Sequence, residues 1–165
     1  RHHHTMTLAA RPDATLLLMP AWTRAGPGSA TAGLYAGVKS VMVGHIMLPE
    51  YSRHLRPGIA DADILPATVA PELLTDLLRD DLGFNGVVLT DASLMVGLTS
   101  ALPRERQMVQ AITAGCDMIL FFRNHDEDFG FVRAAVESGE IDPRRLESYR
   151  RLVNLTRQLD EKRGW

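Results

Sequence analysis

The chain has 165 residues, 45% of them hydrophobic, and sets 18 Lys and Arg against 20 Asp and Glu for a formal charge of −2. That is enough apolar material for one cored domain, and the near-balanced charge without a basic block excludes a phosphate backbone as partner. The single cysteine, Cys116, excludes an internal disulfide and any multi-cysteine zinc site; no apolar run reaches membrane length and no signal-peptide pattern opens the chain, so no membrane association is expected and the compartment is left open.

In chain order, residues 1–36 carry the weakest pattern. His2-His3-His4 is a contiguous terminal run, more like a tag remnant or solvated end than a metal site, and no metal is expected there. Leu16-Leu17-Leu18-Met19 predicts a short strand ended by Pro20, and Gly26-Pro27-Gly28-Ser29 a loop. From Gly37 the pattern sharpens. Ser40-Val41-Met42-Val43-Gly44-His45-Ile46 reads as a buried strand with the polar His45 at its end. Residues 47–67 read as one long loop rich in charged side chains, and loops of that length are commonly functional.

Pro71 opens a helix to about residue 82, with Leu73, Leu74, Leu77, Leu78 and Leu82 forming one apolar stripe and Gly83 closing it as a left-handed cap. Gly83-Phe84-Asn85-Gly86 then turns into Val87-Val88-Leu89-Thr90, a β-branched run that ends on Asp91. In parallel sheets ligands bind at the carboxyl ends of strands, which makes Asp91 a candidate for chemistry; the competing reading is a strand-end aspartate capping the next turn. Residues 92–103 read as a loop, and Arg104 to about Ala114 as a helix with Met108, Val109 and Ile112 inward, ended by Gly115. Cys116 sits beside the next strand in a packing position. That strand is read as the buried run Asp117-Met118-Ile119-Leu120-Phe121-Phe122, with Arg123, Asn124 and His125 at its end. Asp126 is expected to cap a helix with Phe129, Val132 and Val136 inward. Asp142-Pro143 starts a last helix whose buried face is Leu146, Tyr149, Leu152, Val153 and Leu159, its Arg and Lys forming a solvated face.

Strands alternating with helices give an α/β fold of parallel β/α units, as found in an open doubly wound sheet or in part of a (β/α)8 barrel, and the pattern does not separate the two. A whole barrel takes about 250 residues, so the barrel reading implies a partial one.

The ordered run Ser40-Val41-Met42-Val43-Gly44-His45-Ile46, Pro66-Ala67-Thr68, Glu72-Leu73-Leu74, Leu82-Gly83-Phe84-Asn85-Gly86-Val87-Val88-Leu89-Thr90-Asp91-Ala92 and Ala114-Gly115-Cys116-Asp117-Met118 resembles the latter half of the catalytic domain of glycoside hydrolase family 3, in its β-N-acetylhexosaminidase and β-glucosidase branches. The resemblance implies a partial TIM barrel: strands six to eight plus the C-terminal helices over residues 37–165, preceded by an atypical segment over residues 1–36. It implies a glycosidase acting on β-linked N-acetylglucosamine or glucose with retention, Asp91 as nucleophile, His45 and Met95 in the sugar pocket, and no cofactor. For His45 the competing reading is a core histidine bonded to backbone, and for Met95 simple packing. In the hexosaminidase branch the acid/base is a histidine paired with an aspartate on a Lys-His-Phe-Pro-Gly-His-Gly type loop. No such motif occurs among the 165 residues, so the chain is expected to be inactive alone. The alternative function is a non-catalytic half-barrel assembly module that covers its sheet edges by self-association or with a complementing half barrel. An open-sheet receiver-like domain ranks last, for want of a lysine and paired carboxylates.

Overall fold

A computed structural model describes residues 15–18 and 38–163; the histidines at 2–4 and the turn at 26–29 lie outside the described residues. Four runs of apolar and β-branched residues pair as a parallel sheet in the order β1 (Thr15–Leu18), β2 (Ser40–Val43), β3 (Val87–Ala92) and β4 (Met118–Leu120). Each strand is the neighbour of the one before it in sequence. The register sets Leu18 beside Val43 and Val43 beside Thr90, so the carboxyl ends of β1, β2 and β3 lie along one rim.

Alternation along the strands divides the two faces of the sheet. Val41, Val43 and Val88 point into the main core, where they meet Val69, Leu74, Leu78, Phe84, Leu98, Ala111, Ala114 and Cys116. Met42 and Leu89, on the other face, are only half-buried. The leucine stripe packs as predicted, with Leu73, Leu74, Leu77 and Leu78 buried and Leu82 half-buried. Its helix, α2 (Glu72–Asp81), is wound with i to i+5 bonding, and Leu82 N–H donates to the Leu77 carbonyl at 2.9 Å. Gly83 at φ 65° turns the chain out of that helix, a conformation that costs glycine nothing and an L side chain about 1–2 kcal/mol.

Several expectations are corrected. The span 47–67 is not one loop: Pro49 and Glu50 open a helix, α1 (Pro49–Leu55), single 3₁₀ turns form at Asp61–Asp63 and Ala67–Val69, and Met47 pairs with Pro66 across the base. A one-turn helix, α3 (Val96–Thr99), interrupts the segment after β3. The last strand is shorter than read and is not buried: Met118 is exposed and Phe121 is 63% exposed, because among the described strands β4 pairs only with β3.

Helix α4 (Arg104–Ala114) buries Met108 and Val109 as expected, and Ile112 partly. Helix α5 (His125–Glu137) is capped by Asn124, whose side chain accepts from the N–H groups of Asp126 and Glu127, and not by Asp126. Its inward stripe is Asp128, Phe131, Val132 and Ala135, which leaves Phe129 and Val136 exposed. Asp142 caps the final turn as predicted, accepting from Arg144 N–H at 2.8 Å. Helix α6 (Glu147–Arg163) turns Ser148, Arg151, Leu152 and Leu155 inward, while Tyr149 is exposed. Arg151 is therefore not part of a solvated face.

The polar inward residues meet a partner. The Asp117 carboxylate, fully buried, accepts from Arg79 (2.7 Å), Arg151 (3.0 Å), Ser148 (2.6 Å) and Val88 N–H (2.8 Å). One side chain thereby ties α2, β3 and α6 together at the amino end of the sheet, away from the rim that carries Asp91. Ionised acceptors of several donors are among the stronger hydrogen-bonded groups, and a buried charge without them is costly.

Candidate active site

The strand-end rim gathers His45 after β2, Asp91 near the end of β3 and Arg123 to His125 after β4, as the parallel register requires. The β3–β4 pairing is irregular just there. Leu89 pairs with Met118 and Ala92 with Leu120, so three steps on β3 face two on β4, and one extra residue is accommodated around Thr90 and Asp91. Thr90 fills the gap in the ladder with its side chain, accepting from Leu120 N–H at 2.9 Å while its hydroxyl lies 3.3 Å from the Leu120 carbonyl. Such bulges bend a strand and re-aim its side chains, and they are over-represented beside active sites.

Asp91 is half-buried, and its Oδ1 accepts from Ala92 N–H at 2.7 Å. No arginine or lysine partner ties it down in an ion pair among the described residues, unlike Asp117 and Asp128. A carboxylate held by its own backbone and open on one side is free to meet a ligand. Ala92 also starts the turn into α3: its carbonyl accepts from Met95 N–H at 3.0 Å. Met95 itself is exposed on that turn. His45 is 7% exposed, with Nδ1 2.8 Å from the Thr68 hydroxyl and Nε2 3.0 Å from the Ala92 carbonyl. The ring thus stands between β2 and the residue that follows Asp91.

The segment after Asp91 is held by a buried ion pair that sequence reasoning missed. Arg104 donates through Nε (2.8 Å) and Nη2 (2.6 Å) to the two oxygens of Asp128, and through Nη1 to Ser93 Oγ at 2.9 Å. Ser93 Oγ in turn donates to the Phe121 carbonyl, and Asp128 also accepts from Arg123 N–H at 2.7 Å. The chain leaving β3 and the chain leaving β4 are locked together through one guanidinium. Hydrogen bonds from Arg104, ahead of those from the Arg123 and Asn124 backbone, hold the Asp128 carboxyl below the usual carboxylate range against the opposing effect of burial. The available sequence signal was an acid at an inward helical position, one turn before Val132.

Around this rim lie exposed apolar side chains: Ile46 and Met47 after β2, Leu94 to Val96 after β3, and Phe121 and Phe122 after β4. Phe122 meets the His125 ring edge-on at 5.5 Å, and Phe129 lies nearly parallel to that ring at 6.3 Å. Cys116 is buried beneath the sheet with Sγ 3.5 Å from the Thr68 carbonyl, and burial pushes its thiol up to about 12.

The family whose sequence pattern matches residues 30–155 is described as "Glycosyl hydrolase family 3 N terminal domain". A beta-N-acetylglucosaminidase/beta-glucosidase of Cellulomonas fimi is 58% identical over 134 residues, which cover 81% of this chain and 24% of that protein. Among solved structures, a beta-glucoside phosphorylase superposes with TM-score 0.80 at 27% identity, covering 93% of this chain and 28% of its own. A glycoside hydrolase family 3 beta-N-acetylglucosaminidase from Paenibacillus sp. str. FPU-7 gives TM-score 0.67 at 31% identity, covering 78% of this chain and 24% of its own. The chain spans about a quarter of the length of these relatives.

Proposed function

The chain belongs to glycosyl hydrolase family 3, and from that premise we propose that it carries the nucleophile half of a retaining β-glycosidase site, with Asp91 as the nucleophile and β-linked N-acetylglucosamine or glucose as the sugar. The observation that carries the reading is the placement of Asp91: a half-buried carboxylate at a bulged strand end, on the rim where the neighbouring strands also end. In the first step the carboxylate oxygen attacks the anomeric carbon as the glycosidic C–O bond breaks. In the second, an acceptor oxygen displaces Asp91 from that carbon. The protonating group belongs, by the family resemblance, to a histidine-bearing loop motif not found among these residues, and on this reading the chain alone is inactive.

The same premise supports the architecture. Four parallel strands that neighbour one another in sequence order, with no reversal among the described strands, support an arc of a (β/α)8 barrel over a doubly wound sheet, whose order reverses at a switch point. β2, β3 and β4 take the places of strands six to eight, with β1 before them. Met42 and Leu89 then face the barrel interior, which explains why the described residues leave them half-buried. Met95, exposed on the rim beside Asp91, is the proposed apolar contact for the sugar.

The likeness to a beta-glucoside phosphorylase favours a second reading of the deglycosylation step, in which phosphate rather than water is the acceptor and the product is a sugar 1-phosphate. Both readings share Asp91. The test is a chimera in which this chain replaces the matching segment of the Cellulomonas fimi relative, assayed on aryl β-N-acetylglucosaminide and aryl β-glucoside with and without phosphate. Asp91→Asn, which keeps the shape and removes the charge, is expected to lower turnover by about 10³-fold or more in either medium. Near-normal turnover by that variant would refute the assignment, and the product, free sugar or sugar phosphate, separates the two acceptors.

A further inference from the structure

The ring of His45 is hydrogen-bonded at both nitrogens and nearly closed to solvent, so it has no nitrogen left for a sugar hydroxyl. What it touches is more informative. Nε2 lies 3.0 Å from the Ala92 carbonyl, and a carbonyl only accepts, so Nε2 carries the proton. Nδ1 lies 2.8 Å from the Thr68 hydroxyl, a group able to accept from it or donate to it. Thr68 is fully buried and its hydroxyl also lies 3.1 Å from the Gly44 carbonyl, at the end of β2, so the ring is braced from behind by the strand that carries it.

Ala92 is thereby fixed on both sides. Its carbonyl takes two donors, His45 Nε2–H and Met95 N–H, both at 3.0 Å, and its own N–H donates to Asp91 Oδ1 at 2.7 Å. The N–H and the C=O belong to the two peptide planes that meet at the Ala92 Cα, so a displacement of that Cα disturbs both the bond to the Asp91 carboxylate and the bond to His45. Resting on the reading of Asp91 as nucleophile, we propose that His45 is a positioning residue: it sets the Asp91 carboxylate by tethering the Ala92 backbone, and does not bind the sugar. Attack needs reacting atoms about 3–3.5 Å apart, and a misplacement of about 1 Å costs about 100-fold in rate, so the tether acts on the chemical step and not on substrate affinity.

Two substitutions divide the ring's functions. A Gln amide nitrogen reaches about as far as imidazole Nε2 and keeps a donor for Ala92. An Asn amide reaches only the position of Nδ1, and keeps the Thr68 contact alone. On the full chain, ¹⁵N and ¹³C NMR reads the His45 tautomer and the Asp91 carboxyl carbon, the latter assigned by its disappearance in Asp91→Asn. The expected result is a proton on His45 Nε2 in the unsubstituted chain, a displaced Asp91 signal in His45→Asn, and an undisplaced one in His45→Gln. In the chimera, His45→Asn should slow covalent labelling by a fluorosugar about 10- to 100-fold with the reagent's dissociation constant changed less than about 3-fold, and His45→Gln should recover most of the rate. An Nδ1–H tautomer, an Asp91 signal indifferent to His45→Asn, or both variants weakening reagent binding instead of rate would overturn the proposal. Labelling at a carboxylate other than Asp91, with the NMR results as expected, would instead remove the nucleophile reading and leave the tether standing.

Discussion

Replacing Asp128 by Asn tests the clamp that joins the chain leaving β3 to the chain leaving β4. The Asp128 side chain is fully buried and the Arg104 side chain 9% exposed, and the carboxylate accepts from Arg104 Nε, Arg104 Nη2 and the backbone N–H groups of Arg123 and Asn124. An amide of the same shape offers one oxygen and turns an NH₂ towards donors, leaving a buried guanidinium unneutralised. Removing one partner of a buried pair costs about 3–5 kcal/mol, and at about 2–4 °C per kcal/mol for a chain of this size the midpoint should fall by about 6–20 °C. Because the folded carboxyl lies below its unfolded value of about 3.9, its contribution is present above that value and is lost as the pH falls through the lower folded one. The difference between the unsubstituted chain and Asp128→Asn, followed by urea unfolding, should therefore be widest near neutral pH and narrow below about pH 4. The double variant Arg104→Met with Asp128→Leu, which leaves no charge behind, should be more stable than Asp128→Asn alone. A loss under about 1 kcal/mol for Asp128→Asn at pH 7, or a gap that widens in acid, would refute the clamp as described.

Gly97 lies so close to β2 that a Cβ there would stand 2.5 Å from the His45 carbonyl oxygen, so Gly97→Ala should cost about 1–3 kcal/mol by urea unfolding, whereas Gly130→Ala, with nothing within 4 Å, should be neutral or stabilising. With its thiol pushed up to about 12, Cys116 should resist iodoacetamide at pH 8 in the folded chain and react only in denaturant; alkylation of the folded chain at the rate of a free thiol would contradict its burial. The exposed Met118, Phe121 and Phe122 along and beyond β4 predict self-association, read as a weight-average mass that rises with concentration in sedimentation and falls back in Phe121→Asp. A monomer across the whole concentration range would exclude it.

The sequence made legible those parts of the fold that rest on local chemistry. The run Val87 to Thr90, the leucine stripe of α2, the positive φ at Gly83 and the Asp142 cap each depend on neighbours within a few residues. Helix faces were misjudged where a polar residue turns inward. On α5 the inward positions 128, 131, 132 and 135 are spaced as a helical stripe should be, but the first is an aspartate, so apolar periodicity alone points one step along to Phe129. On α6 the same happened at Ser148 and Arg151, whose inward position makes sense only beside Asp117, more than 30 residues earlier in the chain. Partners at such separations have no local signature. Helix α1 went unread because it is seven residues long and buries only Ser52, so it leaves no apolar stripe to detect. The position of Asp91 at a strand end was legible; the bulge that re-aims it, and the ring of His45 behind Ala92, became visible only with the register of β3 on β4 and the close approach of α3 to His45.

If the Asp91 carboxylate forms a covalent bond to the sugar, the glycosyl-enzyme can be trapped. A fluorosugar with a fluoride leaving group needs little help from a general acid, because fluoride departs without prior protonation, so the first step depends chiefly on the nucleophile and its positioning. The chimera carrying this chain is incubated with fluorosugars of the N-acetylglucosaminyl and glucosyl types, digested, and analysed by mass spectrometry. One added glycosyl mass is expected on the peptide that contains Asp91, absent from the Asp91→Asn protein. A glycosyl mass on any other peptide, or an equal label in Asp91→Asn, would contradict it.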